Sequence, residues 1–213
     1  MALWQYRDLF WSGLLTTLEL TLLGFILATI VGTIVAIFRI SPIAPLRAVG
    51  LIYVEIFRNV PLMSLIIVVV YALPEIGVQF SYSTSVIVAM MLVGGSFLCE
   101  ALRAGINGVP TGQIEAARSL GFTFRGVISN VVLPQAFRTM VQPLVTVFIG
   151  IFLSSSLAGV VGVMDLTATV SYINNREALG LLTFMVAAVM YLTISLMAGV
   201  VGDRLERRLR VLR

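Results

Sequence analysis

From residue 12 to residue 38 the chain runs through 27 positions with one charge, Glu19, and four further apolar runs follow at about 49–72, 83–102, 138–162 and 179–202. Each reaches the roughly 20 residues that a helix needs to cross the hydrocarbon core of a bilayer. Only 11% of the 213 residues are charged, where a soluble domain carries roughly 25%. A surface so poor in charge has to be covered by lipid. Inside lipid every backbone N–H and C=O must be satisfied within a helix or a closed barrel. The runs lack the strict alternation of barrel strands. The expectation is an all-α integral membrane protein, one transmembrane domain over residues 1–213 with five spanning helices.

Two absences narrow the chemistry. The chain has no histidine, which excludes Ser-His dyads, HExxH zinc sites and His-ligated haem. Its one cysteine, Cys99, lies in an apolar run, rules out an intrachain disulfide and reads as a small buried hydrophobe. The spans hold no paired catalytic carboxylates. No catalytic residue, metal site or bound cofactor is expected, and the chain is not read as an enzyme. The N-terminal apolar stretch runs past the roughly 7–15 residues of a signal-peptide core, so the first helix is expected to stay.

Five spans put the termini on opposite sides. One side collects Arg39, Arg47, Arg58, Arg103, Arg118, Arg125, Arg138, Arg204, Arg207, Arg208, Arg210 and Arg213, and the other holds Arg7 and Arg176. The positive-inside bias then places the N-terminus outside, and the loop at about 104–137 and the C-terminal tail in the cytoplasm. The tail reads as a topology anchor meeting anionic lipid, not as a nucleic-acid site. Trp4 and Trp11 bracket the outer end of the first span, as an interfacial belt does. No internal repeat is found, and five spans do not halve, which counts against a secondary transporter built from paired repeats.

Between the third and fourth spans lies the one long polar-punctuated segment. Pro110 stops the preceding element, and Thr111 is placed to cap a helix over about 112–120. Glu115 falls near the positive end of that helix, and Gly121 suits the left-handed residue that closes it. Ile114, Ala117 and Leu120 would form an apolar face, with Gln113, Glu115, Arg118 and Ser119 around the rest. Ala116 and Ala117 keep the profile thin, and Phe122 and Phe124 are placed to pack beneath. So short a helix does not stand alone in water and needs a partner surface, either a groove in another protein or the membrane itself. Leu133-Pro134 closes the segment before the fourth span.

The string Glu115-Ala116-Ala117, Gly121, Val131, Leu133-Pro134 resembles the EAA loop of bacterial ABC-importer permeases, with Val131 where that pattern usually has Ile. The flanking Glu100-Ala-Leu-Arg103-Ala-Gly-Ile, Val109-Pro-Thr-Gly-Gln113, Leu133-Pro-Gln-Ala-Phe-Arg138 and Glu55-Ile-Phe-Arg58-Asn-Val-Pro61-Leu62 resemble permeases for polar amino acids of the histidine/glutamate/glutamine type. The resemblance implies a type I importer transmembrane domain in a bacterial plasma (inner) membrane. It implies a second permease, a copy or a sister, and separate ATP-binding subunits that hold ATP and Mg. Those subunits would be gripped by Gln113, Glu115, Ala116, Ala117, Gly121, Leu133 and Pro134. It further implies an extracytoplasmic solute-binding protein and an amino acid cargo, with a glutamate- or aspartate-like one favoured. The alternatives carried are the same architecture moving another small polar solute and, in a different class, a stand-alone channel or secondary transporter.

Charges inside a span are expensive and need a reason. Glu55 and Arg58, spaced i, i+3 beside Asn59 and Pro61, either pair on the helix or form a cytoplasmic gate. Glu100 and Arg103 repeat that spacing and either pair or offer a carboxylate to the amino group of the cargo. Ser154, Ser155 and Ser156 either bond back to their helix or line a solute path. Similar permeases often carry a Lys-Asn/Asp-Thr-Ser-like stretch where this chain has Leu153-Ser-Ser-Ser156. Asp165 either meets the binding protein or is solvated, and Pro61 and Pro143 are expected to kink their helices.

Overall fold

The computed structural model of the chain describes residues 2–209, which fold into helices and turns without a strand. The elements are α1 (Arg7–Ile40), α2 (Ala44–Asn59), α3 (Leu62–Ile67), α4 (Tyr82–Asn107), α5 (Thr111–Ser119), α6 (Phe124–Val127), α7 (Leu133–Ser154), α8 (Leu166–Glu177) and α9 (Gly180–Leu209). Arg210 and Arg213, counted above among the tail arginines, lie outside the described residues.

Four continuous helical stretches are long and apolar enough to cross a membrane, at 4–40, 82–107, 124–161 and 180–209. The expected kink at Pro61 divides the second apolar run, placed above at about 49–72. The run is a pair of helical stretches, Ala44–Asn59 and Leu62–Ile76, meeting at 102°. The cause is Pro61, which has no N–H to donate and holds Val60 extended at φ −85°, ψ 128°, so α2 ends one residue earlier. The expected start of the fourth span near 138 also moves, because helix runs on from Phe124 through a wide π turn at Ile128–Val132 into α7. A second π turn, Val68–Ala72, follows α3. Each π turn stands before a Leu-Pro pair, Leu73-Pro74 and Leu133-Pro134, and the leucine N–H reaches back five residues, to Val68 and to Ile128. Widening the helix there lets the proline ring avoid the carbonyl four residues behind it.

The helices assemble around a seam between α1 and α4. Gly24, Ala28 and Gly32 recur at a spacing of four on α1; on α4, Gly24 faces Met90, Ala28 faces Gly94 and Gly32 faces Gly95. A Cβ added at Gly32 would lie 2.7 Å from the Leu98 Cβ and 2.8 Å from the Gly95 carbonyl oxygen. One at Gly94 would lie 3.0 Å from the Ala28 Cβ and 2.8 Å from Ile151 Cδ1. Small residues at this spacing bring two backbones close enough for dispersion forces to hold them in lipid. Leu20, Ile66, Val86, Met90, Leu98 and Ile151 complete the main core around the seam.

One end of the molecule is closed by α8, which lies on α1 through Phe10, Leu14, Leu166, Val170 and Ile173. The Leu166 N–H donates to Thr17 Oγ1 at 3.0 Å, and the Tyr6 hydroxyl donates to Glu177 at 2.6 Å. Asp165 caps α8, its Oδ1 accepting from the Ala168 N–H at 2.8 Å, and is fully buried. Both earlier readings of Asp165, a solvated carboxylate and a docking contact, are thereby corrected. Burial pushes its carboxyl up to about 6 from an ordinary 3.8, against the pull of the backbone N–H groups and the Tyr191 hydroxyl.

Two outcomes are expected from this packing. Gly32→Ala should cost about 1–3 kcal/mol and lower the thermal midpoint of the detergent-solubilised chain. Gly199→Ala, where an added Cβ meets nothing within 4 Å, should not. Since the folded-state value of Asp165 is raised, its ionisation opposes folding, an effect absent below the ordinary value of 3.8 and complete above about 6. Asp165→Asn, which keeps the capping oxygen, should therefore melt at or above the wild type near neutral pH. That advantage should shrink as the pH of the melt is lowered towards about 4.

Candidate functional site

A cavity of about 270 Å³ opens between α3, α4 and α7, lined by Leu62, Val93, Phe97, Thr146, Gly150 and Ser154 among others. The bend at Pro61 delivers Leu62 to its wall. Its polar side chains are Thr146 and Ser154, and no charged side chain lines it. The Thr146 hydroxyl donates to the Gln142 carbonyl at 3.0 Å, and Ser154 keeps its hydroxyl for the cavity. Ser155 and Ser156 turn back onto their own helix, donating to the carbonyls of Phe152 at 2.7 Å and Leu153 at 2.6 Å. The serine run is thus divided, one residue facing the cavity and two packing.

Arg58 is not part of the lining, but its guanidinium lies 5.8 Å from the centroid of the Phe97 ring, which is. Glu55 and Arg58 form no ion pair, which corrects the pairing expected from their spacing. Arg7–Asp8, Arg39–Glu100 and Arg103–Glu100 are ion pairs among the described residues. Asn59 closes α2 by donating from Nδ2 to the Glu55 carbonyl at 2.7 Å. Glu100 does not line the cavity. It accepts from Arg103 at 2.9 Å and lies 3.1 Å from Arg39 of α1, tying α1 to α4 below the glycine seam.

The loop helix α5 forms where expected, one residue earlier. Pro110 occupies the cap position at φ −59°, ψ 131°, so Thr111 is the first helical residue and makes no capping bond, a second correction of local detail. At the far end Gly121 is left-handed at φ +83°. The Gly121 N–H reaches the Arg118 carbonyl at 2.9 Å and the Phe122 N–H reaches the Ala117 carbonyl at 3.2 Å, a Schellman closure. Ala117 is buried against Val109, Val127, Val132, Ala136 and Met140, with Ile114 beside them. The third member of the expected apolar face, Leu120, is 79% exposed because the helix has already ended. Phe122 and Phe124 do not pack beneath α5 either, and Phe124 is 70% exposed. Gln113, Glu115 and Ala116 face outward. Leu133 and Pro134 lie inside the continuous helix that begins at Phe124, so the loop expected over 104–137 is mostly helical.

Phe97, Thr146 and Gly150 of the cavity were not singled out from the sequence, where they look like ordinary residues of an apolar span. The signal that was available is the Gly24, Ala28, Gly32 spacing, which announces close helix packing. Replacing Glu100 by Gln should leave Arg39 and Arg103 facing each other without a counter-charge. A loss of about 1–3 kcal/mol is expected in thermal unfolding, larger than the loss for Arg103→Gln.

A family model described as "Binding-protein-dependent transport system inner membrane component" matches residues 24–211. The probable glutamine ABC transporter permease protein GlnP of Bacillus subtilis is 34% identical, over 96% of this chain and 95% of that protein. The glutamate/aspartate import permease protein GltJ of Escherichia coli is 30% identical, over 97% and 89%. A solved structure described as the crystal structure of an amino acid ABC transporter with histidines superposes with a TM-score of 0.91 at 30% identity, over 96% of this chain and 95% of that one.

Proposed function

The chain belongs to the family of binding-protein-dependent transport system inner membrane components, and from that premise we propose that it is the membrane-spanning subunit of an ATP-driven importer for a polar or charged amino acid. The observation that carries this reading is the exposed apolar surface at α5. Leu120, Phe122 and Phe124 are 79%, 43% and 70% exposed beside a two-turn helix held rigid by a left-handed glycine. Exposed apolar side chains next to Glu115 and Arg118 fit a protein groove better than bulk water. The occupant of this surface is an ATP-binding subunit, which holds ATP and Mg.

The force path is short. Ala117 of α5 packs on Val127, Val132, Ala136 and Met140, so a displacement of α5 is carried into the base of α7. The same helix carries Thr146, Gly150 and Ser154 along the cavity wall. Drawing two such loop helices together, one from each permease of a pair, would swing α7 against α4 and change which end of the cavity is open. Arg58, held against the Phe97 ring beside the cavity, serves as the gate. With α5 and the arginine-bearing helix ends in the cytoplasm of a bacterial plasma membrane, the N-terminus and α8 face outward. There a solute-binding protein delivers the cargo.

Relatives are named for glutamine and for glutamate/aspartate. The cavity offers hydroxyls from Thr146 and Ser154 and no fixed charge. It therefore suits the neutral hydrogen-bonding parts that polar amino acids share, and selection of the side chain falls to the binding protein. In this reading an acidic cargo is admitted without being selected by the permease.

The test is uptake into liposomes containing this chain, an ATP-binding subunit and a binding protein, across a panel of amino acids. ATP-dependent accumulation of one polar amino acid is expected. Flux through the chain alone, without ATP, would overturn the reading. In the same system Leu120→Asp and Phe124→Asp should reduce co-purification of the ATP-binding subunit at least about tenfold without affecting membrane insertion.

A further inference from the structure

A second and larger cavity, about 540 Å³, lies on the outer surface of the helix bundle, bounded by α1, α7 and α9. Phe25, Leu144, Phe148, Met197, Val201 and Leu205 are among its lining, and none of its lining side chains is polar. On α9 the lining positions Ile194, Met197, Ala198, Val201 and Leu205 form one helical stripe, and the next turn of that stripe brings Arg208. On α7 the turn before Val141 brings Arg138. The two helices run antiparallel and are tied at this mouth by a hydrogen bond from Gln142 Nε2 to Asp203 Oδ1, so both arginines stand at the same end of the groove. Neither Arg138 nor Arg208 forms an ion pair among the described residues.

We propose that this groove binds an anionic phospholipid of the cytoplasmic leaflet, one acyl chain lying between α7 and α9 and the phosphate held at Arg138 and Arg208. The chemistry decides the occupant. A trough without polar side chains, between helices long and apolar enough to cross a membrane, excludes water and polar solutes. A protein helix would leave two uncommitted guanidiniums against an apolar face, whereas a phosphodiester gives each of them an oxygen to bind. The assignment to the cytoplasmic leaflet rests on the orientation given under Proposed function. The lipid itself is selected by the groove and its arginines.

The full-length chain in its assembled complex is exchanged into detergent containing equal phosphatidylglycerol and phosphatidylcholine, and bound lipid is counted by native mass spectrometry. Wild type should retain phosphatidylglycerol preferentially. Arg138→Gln and Arg208→Gln should each reduce that preference about fivefold, and Ala198→Trp, which fills the trough, should remove bound lipid of both kinds. An unchanged preference in the double arginine variant, or lipid retained by Ala198→Trp, would overturn the proposal. So would loss of pairing between two copies in Ala198→Trp with lipid unaffected, which would make the groove an interface. Because binding is counted without transport, failure of the importer reading and failure of this one are separate results.

Discussion

The α1–α4 contact is what the rest of the molecule is built on. In lipid no hydrophobic drive pushes apolar helices together, so association depends on how closely the backbones approach. Gly24, Ala28 and Gly32 remove side chains from the face of α1 that meets α4, and Gly94 and Gly95 remove them from the other side. The result is a contact in which an added Cβ at Gly32 or Gly94 has no room. The Arg39–Glu100–Arg103 cluster fastens the same two helices one step further along. With α4 fixed, α7 takes its place through Gly105, where Met140 sits against the helix backbone.

That arrangement gives α7 two duties on one rigid element. Its base is packed against the loop helix through Val132, Ala136 and Met140. Its middle and far end supply Thr146, Gly150 and Ser154 to the cavity. The prolines decide how these parts are aimed. Pro61 breaks the second apolar run and turns it through 102°, placing Leu62 in the cavity wall. Pro74 and Pro134 are absorbed by π turns instead, so helix continues through both.

Much of this was legible in the residues. The all-α membrane class, four of the five apolar runs as continuous helices, the loop helix and its left-handed Gly121 followed from run length and capping chemistry, and the importer family from the resemblance of the Glu115–Pro134 segment and its flanks to known permeases. What failed did so for identifiable reasons. Pro61 was read as a kink, but the size of the bend, 102°, depends on how the two pieces pack, which hydropathy does not register. Glu55 and Arg58 have the spacing of an ion pair, yet Arg58 finds the Phe97 ring of another helix. Leu120 belongs to the right stripe by count and falls outside it because the helix has already closed. Asp165 looked like a loop carboxylate and is a buried cap, because α8 folds back over α1 in a way no local pattern announces.

The sequence by itself determined that this chain lives in a bilayer, where it is helical and where a short polar helix interrupts the apolar runs. These depend on properties that single residues or short windows carry: transfer free energy, helix capping and charge count. Only the tertiary structure decided which of the three serines meets the cavity, that Glu100 is committed to two arginines, and that α1, α7 and α9 enclose one apolar groove. Each of these depends on which faces of separate helices come together. In a chain that is apolar nearly throughout, the pattern of hydrophobicity no longer marks one face from another, so close-packing geometry has to choose.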